Sequence, residues 1–94
     1  LIAAQLDALP ARREPGQFEV AASELGALSE EALIRLLFRE IARINPGAAP
    51  RLEQAENVAA RLRHGGPVAA TLGGVAIRLG AKRLIMKPQP PRRS

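Results

Sequence analysis

The sequence predicts an α+β fold: a short strand, two main helices and a small C-terminal antiparallel β-meander. Three observations carry that prediction. Apolar residues recur at helical spacing between Ser29 and His64. The period then changes to two between Val68 and Lys87, broken by the Gly73-Gly74 pair and the Gly80-Ala81-Lys82 turn. Upstream, Gln17–Val20 alternates polar and apolar, as a half-buried strand does. Helices and strands segregate along the chain, so the helices are expected on one face of a single sheet.

Each element has its own signal. Leu1, Ile2, Leu6 and Leu9 fall at helical spacing, and Pro10 ends the run. Pro10–Gly16 holds two prolines, a glycine and three charges, which reads as a linker. Residues 1–16 are therefore expected to be the end of a connecting helix and a linker, 17–87 the domain, and 88–94 a flexible tail rich in proline. Ser23 is placed to cap a brief turn through Leu28.

The strongest helix starts at Ser29, whose hydroxyl can take a free N–H of the first turn. Glu30 and Glu31 follow, where the helix dipole favours acids. Leu33, Ile34, Leu37, Phe38, Ile41 and Ile44 share one broad arc, with Leu36 at its edge. Arg35, Arg39 and Arg43 repeat on the opposite side, and Asn45-Pro46-Gly47 stops the helix. A second helix is expected from Arg51 to His64. Leu52, Ala55, Val58, Ala59 and Leu62 lie on one face, and Glu53, Gln54, Asn57 and Arg61 on the other. Gly65-Gly66-Pro67 breaks it. Val68–Leu72, Val75–Leu79 and Arg83–Lys87 then read as strands, joined by turns at Gly73-Gly74 and Gly80-Ala81-Lys82.

Composition excludes several functions. Ninety-four residues suit one small domain with a modest core. With no cysteine, disulfides and thiolate metal sites are ruled out. Phe18 and Phe38 are the only aromatics, which argues against a binder built on stacked bases. No apolar run approaches the roughly 18–20 residues of a membrane helix. The chain begins without Met or a basic leader, so it reads as a piece of a longer protein.

Catalytic signatures are missing as well. There is no GxxxxGK[ST] loop and no GxGxxG, and Gly73, Gly74 and Gly80 are explained by hairpin turns. His64, the one histidine, sits at a helix C-terminus, where it suits the last carbonyls and the dipole. Ser23, Ser29, Thr71 and Ser94 offer no nucleophile–base pair with it, and the scattered acids lack metal-ligand spacing. Glu31 is placed to pair with Arg35, and Glu40, between the apolar arc and the arginines, can reach Arg43.

Charge is the one uneven quantity. Residues 1–50 carry five Arg and seven acids, a net of −2; residues 51–94 carry nine Lys or Arg and two acids, a net of +7. The candidate constellation is Arg35, Arg39 and Arg43 on the first helix, Arg61 and Arg63 ending the second, and Arg78, Lys82, Arg83 and Lys87 along the meander. Guanidinium groups bind phosphate oxygens bidentately and Lys acts as a point charge, so such a set can position RNA without reading its sequence. The alternative is an ordinary solvated basic surface.

Residues 33–86 resemble the region that follows the catalytic domain in bacterial tRNA(Ile)-lysidine synthetases. The features that match, in order, are a helix of L-x-R-x-L type from Leu33 to Leu37 and a P-R-L-E helix start at Pro50–Glu53. A basic helix end at Arg61–Gly65 follows, then a T-L-G-G turn at Thr71–Gly74 and a basic hairpin ending in Leu84-Ile85. Upstream, Phe18–Leu25 also fits the layout. The resemblance implies a parent enzyme with an N-terminal PP-loop ATPase domain that uses ATP and Mg. That domain adenylates the wobble cytidine of the CAU-anticodon isoleucine tRNA, and lysine then displaces AMP to give lysidine. The Ser-Gly-Gly-x-Asp-Ser motif of that domain does not occur here, so the resemblance carries over no catalytic, ATP or metal residue and no cofactor. It implies a region that holds tRNA, beside the ATPase domain of the same chain. A second expectation is a structural or protein-interaction domain, because the apolar arc of the Ser29–Ile44 helix is wide enough to pack on a partner or form a homodimer.

Overall fold

A computed structural model of the protein describes residues 2–90. Helix α1 (Ile2–Asp7) leads into strands β1 (Ala11–Glu14) and β2 (Gln17–Ala21), then a single turn of helix, α2 (Ala22–Leu25). The two main helices follow, α3 (Glu30–Ile44) and α4 (Leu52–His64). Strands β3 (Val68–Leu72), β4 (Val75–Leu79) and β5 (Arg83–Pro88) complete one five-stranded sheet of order β1-β2-β5-β4-β3. Every neighbouring pair is antiparallel. The α+β class and the C-terminal meander are as expected.

One expectation fails at the N-terminal end. The stretch from Pro10 to Gly16 is not a linker. Ala11–Glu14 forms an edge strand paired with β2, and Gly16 (φ 74°) makes the turn between them. Leu6 and Leu9 belong to the same core as the rest of the chain. Charges at three of its four positions hid this strand, yet charged side chains are what an edge strand tolerates, because they discourage further pairing. Pro88, expected in the tail, ends β5, and the amide of Gln89 donates to the Gly74 carbonyl at 2.9 Å. Of the expected tail, residues 91–94 lie outside the described residues, as does Leu1 at the other end.

Register divides the sheet into two faces. Phe18 pairs with Met86, Ile77 with Met86, Leu79 with Leu84 and Val68 with Leu79. These side chains point to one side, where they are buried against the helices. The alternate positions point to the other side, and those of β3, β4 and β5 are exposed or half-buried.

Helix α3 spans the core. The Ser29 hydroxyl accepts from the Ala32 amide at 3.1 Å, as expected of its N-cap. Ser23, by contrast, lies inside α2, and the N-cap there is Ala21, which makes no side-chain cap. The buried face of α3 is Leu33, Leu36, Leu37, Glu40, Ile41 and Ile44. Leu36 is therefore central rather than marginal, while Ile34 and Phe38 are half-buried and pack against the core's edge. In α4 the expected face holds from Ala55 to Leu62, but Leu52 is 58% exposed at the first helical position.

The most buried polar group is Glu40, 1% exposed. Its two carboxylate oxygens accept from Arg13 Nε at 3.0 Å and Arg43 Nε at 2.8 Å. Arg43 also donates to the carbonyls of Glu14 at 2.9 Å and Gln17 at 2.6 Å. Arg13 lies over the Phe18 ring, 5.2 Å from its centroid. A single polar cluster thus fastens the β1–β2 hairpin to α3.

The Gly73-Gly74 turn is equally constrained. Both residues have positive φ, 58° and 74°, as a two-residue hairpin of the favoured twist requires. A Cβ on Gly73 would come within 2.9 Å of Ile41 Cγ2, and one on Gly74 within 2.8 Å of Asn45 Nδ2. That Asn45 amide donates to the Gly73 carbonyl at 2.8 Å.

Two stability predictions follow from these contacts. Gly73→Ala is expected to lower unfolding free energy by about 1–3 kcal/mol, through the backbone conformation and the Ile41 contact together. Equilibrium urea unfolding measures it, and an unchanged midpoint would refute the packing of this turn on α3. Glu40→Ala is expected to cost about 2–3 kcal/mol, toward the low side for a broken buried pair because both arginines are partly solvated. The same unfolding assay checks it, and an unperturbed variant would remove Glu40 from the scaffold.

Candidate nucleic-acid interface

The nine basic residues separate into two groups. Those of α3 are engaged. Arg35 pairs with Glu31 at 3.2 Å and Arg39 with Asp7 at 2.5 Å. Arg43 is held by Glu40 and by the hairpin carbonyls. The i,i+4 pairing of Glu31 and the reach of Glu40 to Arg43 are as expected. The Asp7 pair arises because α1 packs against α3. Exposed pairs of this kind are weak, roughly 0–1 kcal/mol, so Arg35 and Arg39 remain exchangeable with a phosphate. Arg43 does not share that freedom.

The C-terminal group is more open. Arg61 and Arg63 end α4, and both are exposed. Arg78 on β4, Lys82 in the β4–β5 turn and Lys87 on β5 are exposed too. Among the described residues, none of these five makes a side-chain ion pair. Arg83 pairs with Glu19 across β2 and β5, keeping 63% of its side chain exposed.

Register sets the spacing of the sheet group. Arg78 lies opposite Ile85. Arg83 and Lys87 stand two residues to either side of Ile85 on β5, so both are diagonal neighbours of Arg78 on the same face, at about 7–8 Å. The result is a shallow triangle of three cations on the side of the sheet away from the helices, with Arg83 and Lys87 at its ends on β5 and Arg78 at its apex on β4. Ile85, half-buried, stands between Arg83 and Lys87, and on the β3–β4 side Ala69, Thr71 and Ala76 line a shallow depression of about 310 Å³ with Arg78. The short side chains on the β3–β4 side leave Arg78 open to a sugar–phosphate backbone.

The sequence reading missed Arg12 on this face. It lies opposite Glu19 in the register and pairs with Glu14 at 3.0 Å. Three successive charges between prolines gave no strand signal; the alternating burial of Ala11–Glu14 appears only in the structure. His64 sits in the last turn of α4 and is exposed. No group of three or more His, Cys, Asp or Glu is placed to hold a metal ion among the described residues. No helix among them is long and apolar enough to cross a membrane.

Fold and surface together define a small α+β domain whose sheet keeps one open, basic face. No protein-family model matches the chain, and no solved structure does. Curated proteins do match. The chain is 35% identical to a tRNA(Ile)-lysidine synthase of Methylobacterium sp. (strain 4-46), over 84% of this chain and 25% of that protein. It is 38% identical to a tRNA(Ile)-lysidine synthase of Methylobacterium nodulans, over 97% of this chain and 29% of that protein. The chain thus spans about a quarter of the length of the curated relatives it matches. It belongs to the tRNA(Ile)-lysidine synthase family, as the counterpart of that quarter.

Proposed function

We propose that this domain is a non-catalytic module that binds and positions tRNA in a tRNA(Ile)-lysidine synthase. The full-length protein would use ATP, Mg and lysine to convert the wobble cytidine of the CAU-anticodon isoleucine tRNA to lysidine, in the cytoplasm. Its chemistry would reside in a PP-loop ATPase domain of the same chain. The observation that carries the reading is the cation triangle of Arg83, Arg78 and Lys87 on an uncovered sheet face, in a chain related to proteins named for their action on tRNA(Ile). Arg61, Arg63 and Lys82 extend the positive surface at one end of that sheet. The aliphatic and alanine-rich surface favours contact with backbone over contact with stacked bases.

A packing or self-associating module is the competing reading. It draws little support from the surface, because Leu52 is the one large hydrophobic side chain that stands exposed among the described residues. The wide arc of α3 is covered from within: α1, α4 and the sheet take up the Leu-rich face.

Titration of the protein with CAU-anticodon isoleucine tRNA at low and near-physiological salt tests the proposal, with a methionine tRNA as control. Affinity should fall steeply with salt. Replacing Arg78, Arg83 and Lys87 together by Ala should weaken binding about tenfold and flatten the log–log salt slope by about 2. The double change Arg35→Ala and Arg39→Ala should weaken it less, because those side chains begin in ion pairs. Equal affinity of wild type and the sheet triple variant would refute the assignment. Absence of any binding at low salt would refute the function.

A further inference from the structure

A second cavity lies not on the cationic sheet face but at one end of the molecule. It lies between α2, the C-terminal end of α4 and the β4–β5 turn, with a volume of about 660 Å³. That is within the range of sites that enclose a small organic ligand, roughly 300–1,000 Å³. Its floor is aliphatic: Leu25, Leu62 and Leu79, each buried in the core. Its rim is largely backbone, from Gly65 and Gly66 on one side and Gly80 and Ala81 on the other. Arg63 stands on the rim, Lys82 follows Ala81 directly, and none of the lining residues is acidic.

The polar character of the rim comes from its backbone. Helix α4 ends at Gly65, whose φ of 76° turns the chain away. Gly66 follows with a φ of 102°, so the chain leaves the axis of α4 within two residues. The last turn of a helix leaves carbonyls as acceptors. The rim thus brings the backbone of the glycine pair and the C-terminal end of α4 together over an apolar floor. A hydrocarbon side chain would offer that backbone no polar partner. A simple anion would meet the negative end of the helix dipole. A nucleobase suits the arrangement, because its faces are apolar and its edge carries both donors and acceptors, while Arg63 and Lys82 stand where a phosphate would follow.

Position adds a second argument. The triangle of Lys87, Arg78 and Arg83 extends along β4 and β5 toward the turn Gly80–Lys82, and that turn forms part of the cavity rim. A single strand lying along it would reach the cavity at its end. We propose that this cavity receives one unstacked nucleotide of an RNA strand whose backbone lies on the sheet's cation triangle. The inference rests on the RNA-binding reading above.

The test uses the full 94-residue chain with two probes, a single-stranded pentaribonucleotide and a blunt duplex RNA, read by amide chemical shifts and by affinity. Ala81 is exposed at the rim, so Ala81→Phe fills the cavity without entering the core. With wild type, the single strand is expected to shift the Gly65, Gly66 and Ala81 amides. In Ala81→Phe its affinity should drop about tenfold, a loss in the range for removing one base's contacts, while duplex affinity changes less than about twofold. Arg63→Gln should weaken the single strand alone by a smaller factor. An unchanged thermal midpoint in both variants separates these effects from unfolding. Single-strand binding that ignores Ala81→Phe, with shifts confined to Arg78, Arg83 and Lys87, would overturn the cavity and leave the RNA-binding reading standing. Failure of both probes to bind would overturn both.

Discussion

The carboxylate of Glu40 is the constraint on which much of the scaffold turns. A charge buried in the middle of a helix is costly unless it is paired and hydrogen-bonded on every side. Here Arg13 and Arg43 each take one of its oxygens, and Arg43 continues to the carbonyls of Glu14 and Gln17. The cluster therefore ties together the middle of α3, the edge strand β1 and the turn that closes the first hairpin. With that hairpin in place, β2 can pair with β5, and the meander becomes part of a five-stranded sheet rather than an isolated three-stranded one. The core then gains Phe18 and Val20 from β2 and closes against α1 through Leu6 and Leu9. One Arg13 nitrogen stays buried without a partner among the described residues, a polar cost within the same cluster.

This arrangement also decides where positive charge is left over. The arginines of the N-terminal half meet acids of the same half: Arg12 meets Glu14, Arg13 and Arg43 meet Glu40, Arg35 meets Glu31, and Arg39 meets Asp7. The C-terminal half has nine cations and two acids, both on α4. Among the described residues, its one cross-half pair is Arg83 with Glu19. The charge asymmetry of the sequence is thus carried into space, with a self-neutralised helical layer and an unmatched sheet and helix end. A net charge alone says nothing about such a surface; the matching of partners does.

Much of the fold was legible because its signals are local. Ser29 followed by two acids, the glycine pairs, and the change of period near Gly66 mark boundaries that depend on neighbours a few residues away. What escaped was set by distance in the chain. Ala11–Glu14 has three charged residues and proline on both flanks, and only pairing with β2 and the Glu40 cluster makes it a strand. Leu36 looked marginal on the helical wheel because the wheel does not know that α4 and the sheet approach from its side. For the interface, the sequence identified the cations but not their partners. Arg39 binds an aspartate 32 residues away, and Arg43 binds backbone carbonyls, neither of which a spacing rule contains. The triangle of Arg83, Arg78 and Lys87 became visible only with the register of β4 on β5.

The T-L-G-G turn shows why a resemblance in sequence need not mark a contact with a substrate. Glycine at positions 73 and 74 is required twice over, by positive φ and by the approach of Ile41 and Asn45. That requirement is internal: it seats the β3–β4 hairpin on the end of α3. Gly65 and Gly66 differ, for although both have positive φ, nothing lies within 4 Å of where a Cβ would stand. Their backbone is open rather than packed, and it borders a cavity instead of a helix. Two glycine pairs with similar conformations thus have opposite surroundings. The closed pair accounts for part of the stability of the sheet. The open pair leaves space beside Arg63, and a function is better sought where glycine is not needed to relieve crowding.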